Sequence, residues 1–240
     1  MEDGKRQFVN FAFFKVFPEW RELGEAERQK GKEQFIEIVE EHSKHFTILP
    51  YSLVGIRGDC DFLLWRISYQ LEDFKKMQSL LHGTALGPYL HTPYYYLAMT
   101  RRSIYLDPIH PSHDEDRTRI IPGKKPYLFV YPFVKTREWY ALTKEKRQKM
   151  MDEHITIGNR YPSVRLNTTY SYGLDDQEFV VAFETDKPGD FLDLVMELRE
   201  AQASRYTKKD TPTFTCLAGS IREVLDSLLM VPQRDLVHHG

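Results

Sequence analysis

Apolar and aromatic residues crowd residues 7–17 (QFVNFAFFKVF), the pattern of a buried β-strand. Pro18 then opens a polar stretch from Glu19 to His45. Phe35, Ile36 and Val39 recur there on one side, which predicts a long helix. Ile48–Arg57 and Phe62–Tyr69 read as two strands joined at Gly58-Asp59, followed by a helix over Leu71–Leu81 and a strand over Tyr94–Arg101. Beyond a polar, proline-bearing stretch the same order returns. Tyr127–Val134 is a strand, Arg137–Ile155 a helix, and Val164–Tyr172 with Phe179–Phe183 a strand pair. Pro188–Gln202 is a helix, Thr213–Leu217 a strand and Ser220–Leu229 a closing helix.

Residue identity repeats along with the pattern. Glu19-Trp20 and Leu23 match Glu138-Trp139 and Leu142 at an offset of 119. Asp61-Phe62 matches Glu178-Phe179, and Asp73-Phe74 matches Asp190-Phe191, both at 117. Each copy has the order strand–helix–strand–strand–helix–strand, the ferredoxin-like βαββαβ unit. The expected fold is α+β, with two tandem ferredoxin-like halves whose antiparallel sheets lie face to face or curl into one barrel, helices outside. Residues 1–102 form the N-terminal half, 103–124 a connector and 125–240 the C-terminal half, which carries the candidate site.

Composition narrows the function classes. At 41% hydrophobic and 13% aromatic residues the chain can bury a full core. Lys+Arg 33 against Asp+Glu 35 leaves a formal charge of −2, so nothing global points to nucleic acid or an anionic membrane. Cys60 and Cys216 stand far apart with no CxxC, which argues against a disulfide framework, a zinc site or an iron–sulfur cluster. No apolar run is long enough to cross a membrane, and Met1–Arg6 lead into a strand without an apolar leader. The expectation is a cytoplasmic protein.

The stretch Arg147–Phe179 holds the most informative chemistry. Met150 and Met151 lie four and three residues before His154 and Ile157 three after it, so helical spacing turns the imidazole to an apolar face. A histidine there is most often a core residue, but a lone neutral imidazole facing an apolar cavity is also how proteins ligate haem iron. On the strand YLFVYPFVK, alternation gives one face to Tyr127, Phe129, Tyr131, Phe133 and Lys135. Tyr131 and Lys135 would stand about 13 Å apart at roughly 3.3 Å per residue, suiting a ligand part aromatic and part anionic. The plainer alternative is a tyrosine-rich strand capped by a solvated lysine. Asp175 and Asp176 read as a solvated turn after Gly173, His110 and His113 lack a third ligand, and His42 and His45 suit a helix end. No GxGxxG, Walker loop, HExxH or GxSxG is present.

YPFVKTREWYAL, MMDEHITIGNRYP and NTTYSYGLDDQEFVVAFE, within this doubled order, resemble the chlorite dismutase-like haem proteins, and most of all the branch of coproheme decarboxylases. The resemblance covers nearly the whole chain and is strongest from Tyr127 to Cys216. It implies that His154 ligates the iron, that Tyr131 is the tyrosine that becomes a radical, that Lys135 stands beside a propionate and that Trp139 lines the haem pocket. It further implies hydrogen peroxide as oxidant, Fe-coproporphyrin III as substrate and haem b as product. A homo-oligomer, five subunits in the family, is expected. Leu166 stands where true chlorite dismutases carry an arginine, seven residues before Gly173. Arg165 is one residue away and should face the opposite side. This disfavours the alternative of chlorite dismutation. A haem-binding or weakly peroxidatic protein that stores or transfers haem is a second alternative. The family's acidic partner for the proximal imidazole aligns near Gln202, which carries no full charge.

Overall fold

The computed structural model describes residues 5–103, 105 and 119–229. Most of the expected 103–124 connector, with His110 and His113, lies outside the described residues. The chain runs β1 (Phe8–Val16), α1 (Glu19–Glu22), α2 (Glu25–Ser43), β2 (Thr47–Ser52), β3 (Phe62–Ser68), α3 (Leu71–His82) and β4 (Leu90–Met99). It continues with β5 (Tyr127–Lys135), α4 (Arg137–Ala141), α5 (Lys144–Gly158), β6 (Arg165–Tyr170), β7 (Phe179–Thr185), α6 (Pro188–Glu200), β8 (Thr207–Lys209), β9 (Phe214–Ala218) and α7 (Ile221–Asp226). The fold is α+β, with every strand pairing antiparallel.

The strands lie in the order β7-β6-β4-β1-β3-β2-β9-β5-β8, and β7 also pairs with β5, so the sheet closes on itself. Closure leaves two faces, a lumen and an outer wall, and alternation sorts each strand between them. Phe11, Phe13, Trp65, Leu128, Val130, Ala182 and Phe214 meet in the lumen. The outer face of the first four strands is covered by α2, α3 and α7 through Phe14, Phe35, Phe62, Phe74 and Val224. The outer face of β5 and β7 packs with α5 and α6 through Phe129, Ile157, Phe183, Phe191 and Leu194.

Several elements differ from the sequence expectation for identifiable reasons. Each long helix is broken at its start. Leu23 and Leu142 are extended, with their N–H groups on Trp20 and Trp139 carbonyls, and Gly24 and Thr143 begin the next helix. β4 starts four residues early despite Pro93, because its pairing with β1 slips between Phe13 and Lys15 and leaves the proline at the irregularity. Pro132 is tolerated inside β5 because the β9 pairing ends at Val130 and the β8 pairing starts at Val134. The short strand β8 had no sequence signal. It follows a 3-10 turn at Gln202–Tyr206 that ends α6 earlier than expected.

Phe35 is fully buried in α2 and meets Phe14 and Phe62 edge-on, at 6.3 and 5.8 Å between ring centres, while those two stack at 4.7 Å. Such aromatic contacts add to the area each ring hides. Phe35→Ala is expected to lower the unfolding free energy by about 3–5 kcal/mol, read from urea unfolding. A loss under about 1 kcal/mol would mean that this core tolerates the void.

Candidate functional site

The outer face of β5 carries Tyr127, Phe129 and Tyr131 against α5 and α6, as alternation requires. Phe129 stacks on Phe191 of α6 at 4.0 Å, and Tyr131 stacks on Phe183 of β7 at 5.8 Å. Leu166 pairs with Phe183 across β6 and β7 and is 45% exposed, so it sets an open apolar side chain beside Phe183, the ring on which Tyr131 stacks. Arg165 pairs instead with Glu184. Glu184 accepts hydrogen bonds from Asn167 Nδ2 and the Gly123 N–H, both at 2.9 Å, and the Arg165 Cδ lies near Gly123. The guanidinium therefore leaves the sheet on the side away from Leu166, as the alternation argument expects.

His154 sits on α5 with Ile157, which packs into the same cluster, and Met150 and Met151 are half-buried beside it. Burial pushes its imidazole down to about 4, the nearby Lys135 charge pushes the same way and Glu153 opposes both. The ring is thus neutral at physiological pH, in a residue that is half-buried. No described residue hydrogen-bonds the ring. A desolvated, neutral nitrogen donor is what a metal ion entering from an apolar cleft needs. Among the described residues there is no cluster of three or more His, Cys, Asp or Glu that could hold a metal without an external ligand.

Lys135 is 9% exposed and so does not cap its strand in solvent. Its Nζ donates to the Ala203 carbonyl at 2.8 Å and lies 4.6 Å over the Trp139 ring and 5.1 Å over that of Phe133. Burial pulls its ammonium down to about 8, against the attraction of Glu178. Trp139 is 2% exposed, held between Lys135, Tyr206 at 5.5 Å and Tyr105 at 6.2 Å. It supports Lys135 from behind rather than offering an open face. Gln202 is exposed, and its backbone N–H donates to Glu153 at 3.0 Å, so the residue next to His154, not the imidazole, is what this segment holds.

Sequence reasoning missed Glu178. Its Oε2 accepts the Lys135 backbone N–H at 2.7 Å and the Tyr140 hydroxyl at 2.6 Å. The signal was present in the repeat. Asp61, 117 residues earlier, accepts the Val16 N–H at 2.8 Å at the matching strand end. Arg199 of α6, paired with Asp210, was missed as well, and its charge acts on the Tyr131 phenol. Burial is the larger influence there and raises that phenol above its ordinary value, so Tyr131 stays protonated.

These residues can be set beside known proteins. A coproheme decarboxylase of Mycolicibacterium smegmatis is 30% identical over 226 residues, covering 92% of this chain and 94% of that one. A chlorite dismutase of Candidatus Nitrospira defluvii superposes with a TM-score of 0.84 at 26% identity, over 94% of this chain and 95% of that chain. A haem-binding protein of Thermus thermophilus shares the fold at a TM-score of 0.79 and 23% identity, over 92% of this chain and 94% of the other. The chlorite dismutase family profile matches residues 28–218. With that match and that degree of identity to a relative along almost its whole length, the chain belongs to the chlorite dismutase family.

Proposed function

We propose that this protein is a coproheme decarboxylase, an enzyme that uses hydrogen peroxide to convert two propionates of Fe-coproporphyrin III to vinyl groups and so yields haem b. The observation that carries the reading is Tyr131 and Lys135 on one face of β5 with the neutral imidazole of His154 near the lysine. The decarboxylase from Mycolicibacterium smegmatis supports it, and so does Leu166 with Arg165 turned away, which sets an apolar side chain rather than a guanidinium at that position of β6. The two strand runs β4-β1-β3-β2 and β9-β5-β7-β6 support reading the fold as two ferredoxin-like halves joined in a dimeric α+β barrel. We extend the proposal to a cytoplasmic homo-oligomer, five subunits by resemblance.

In this reading the iron porphyrin is the substrate, and once bound it supplies one-electron oxidising chemistry with peroxide. His154 holds the iron through its neutral nitrogen. The Lys135 ammonium pairs with a propionate and keeps it ionised where water is scarce. Tyr131, once it has given up an electron and its proton, would take a hydrogen atom from the propionate side chain; loss of a second electron from that carbon would then release the carboxyl carbon as CO₂ and leave the vinyl group, with one peroxide reduced to two waters for each propionate. Trp139 and the Ala203 carbonyl fix the lysine in position for this.

Ferric coproheme titrated into the apoprotein, then peroxide, with products identified by mass, tests the reading directly. Stepwise loss of two carboxyl groups is the expected result. Tight retention of haem b with no turnover of coproheme would favour storage or transfer instead. Tyr131→Phe is expected to bind coproheme as the parent does and to stall before the first decarboxylation; unchanged turnover would remove Tyr131 from the mechanism. The Lys135 ammonium of the ligand-free protein is charged below about 8 and neutral above it. Coproheme affinity should therefore fall by about tenfold as pH rises through that value, and Lys135→Met should lack the step. A parental profile as flat as that of the variant would rule out a role for the lysine charge.

A further inference from the structure

Two tyrosines are exposed among the described residues, Tyr95 at 42% and Tyr172 at 46%, and their surroundings are opposite in chemistry. The Tyr95 hydroxyl is held by Arg66, a buried cation that can only donate. The Tyr172 hydroxyl lies 2.6 Å from that of Tyr140, and Tyr140 donates at 2.6 Å to the Glu178 carboxylate. Each phenol has one proton, and Glu178 is the only acceptor without one to give. The chain is therefore directed, from Tyr172 O–H to Tyr140 O–H to Glu178.

Taking an electron from a phenol makes its proton strongly acidic, so a phenol is oxidised easily only where a base can receive that proton. Tyr172 has such a route and Tyr95 faces a positive charge. Tyr172 is also joined to the candidate site by rings. Phe133 is the next outward-facing residue of β5 after Tyr131. It meets Phe179 at 6.1 Å, Phe179 meets Tyr172 at 5.1 Å, and Tyr172 meets Tyr140 at 6.3 Å. The base ending the proton route, Glu178, is tied to the Lys135 backbone.

We propose that Tyr172 is a surface oxidation site, at which small phenolic donors give up electrons to the pocket through the Tyr172–Tyr140–Glu178 chain. The inference rests on the haem-dependent reading above for its oxidant, hydrogen peroxide. Tyr172 loses one electron to the pocket and its proton to Tyr140, which passes its own proton to Glu178. A donor phenol returns one electron to the Tyr172 phenoxyl, the proton comes back from Glu178, and the donor's proton goes to solvent. Two donors become phenoxyl radicals per peroxide, which takes up two electrons and two protons and leaves as two waters.

The haem-loaded protein, treated with peroxide in the presence of a nitroso spin trap and mapped by peptide mass, is expected to carry the adduct on Tyr172. Tyr172→Phe should abolish it, and Tyr140→Phe should reduce it by about tenfold through loss of the proton acceptor. Oxidation of a phenolic donor should fall by a similar factor in Tyr172→Phe, while porphyrin binding followed by absorbance is unchanged. The apoprotein exposed to photogenerated tris-bipyridyl ruthenium(III) needs no haem, and there Tyr172 should be labelled ahead of Tyr95. Equal or heavier labelling of Tyr95, or adducts that remain on Tyr131 and never reach Tyr172, would overturn this inference and leave the decarboxylase reading intact. Failure of the protein to bind any iron porphyrin would overturn both.

Discussion

A carboxylate at the foot of a strand pair holds the end of the neighbouring strand, and this contact occurs twice. Asp61 takes the Val16 N–H on its side chain, while its own N–H reaches the Phe14 carbonyl. Glu178 takes the Lys135 N–H, and its N–H reaches the Phe133 carbonyl. In both places the ladder with the neighbouring strand, β3 or β7, has just ended at Phe14 or Phe133, and the chain turns toward a buried tryptophan, Trp20 or Trp139. An unpaired backbone N–H at a buried turn is costly, so a charged acceptor at that point fixes where the strand stops. It fixes the following helix too, and with it the face from which α2 or α5 presents its residues to the sheet.

On this shared scaffold, the candidate site is found where the two copies differ. Tyr131, Lys135 and His154 stand 119 residues after Ala12, Val16 and Phe35. The first-copy residues are all fully buried, and together they make a closed core of small and aromatic groups. Their counterparts keep the scaffold but bring a phenol, an ammonium and an imidazole to the same surface. Burying three polar heads in place of apolar ones is unfavourable unless something else satisfies them. The Ala203 carbonyl accepts from the Lys135 ammonium and the Glu178 charge favours it, whereas the imidazole has no described partner.

The sequence made the element order legible because periodicity survives substitution. Alternation alone placed Tyr131 with Lys135 and separated Leu166 from Arg165, since side chains on a strand have only two faces. Features set by a single backbone group were not legible. The breaks at Leu23 and Leu142 depend on extended dihedrals within otherwise helical composition, and the start of β4 depends on an irregularity that absorbs Pro93. The depth of Lys135 was hidden as well. Its strand reads as ending in solvent, and only the return of the 3-10 turn at Ala203 covers it. Glu178 entered only as a matched position of the repeat, because its role lies in an acceptor geometry that no local pattern encodes.

The two depressed basic groups belong to one electrostatic arrangement. Both lose proton affinity chiefly to burial, and the charge of Lys135 further disfavours a second cation at His154. This keeps the imidazole neutral and available as a donor across the whole physiological range. Linkage runs the other way for the lysine. An anion brought beside Lys135 favours its charged form, so above about 8 the arrival of a carboxylate must draw a proton onto the lysine. A ligand with a cationic centre for His154 and carboxylates at its rim satisfies both groups at once. In the proposed reading, a ligand with only one of these features would leave the other group buried and unmatched, and this is the physical ground on which that reading selects a metal-bearing ring with acidic side chains.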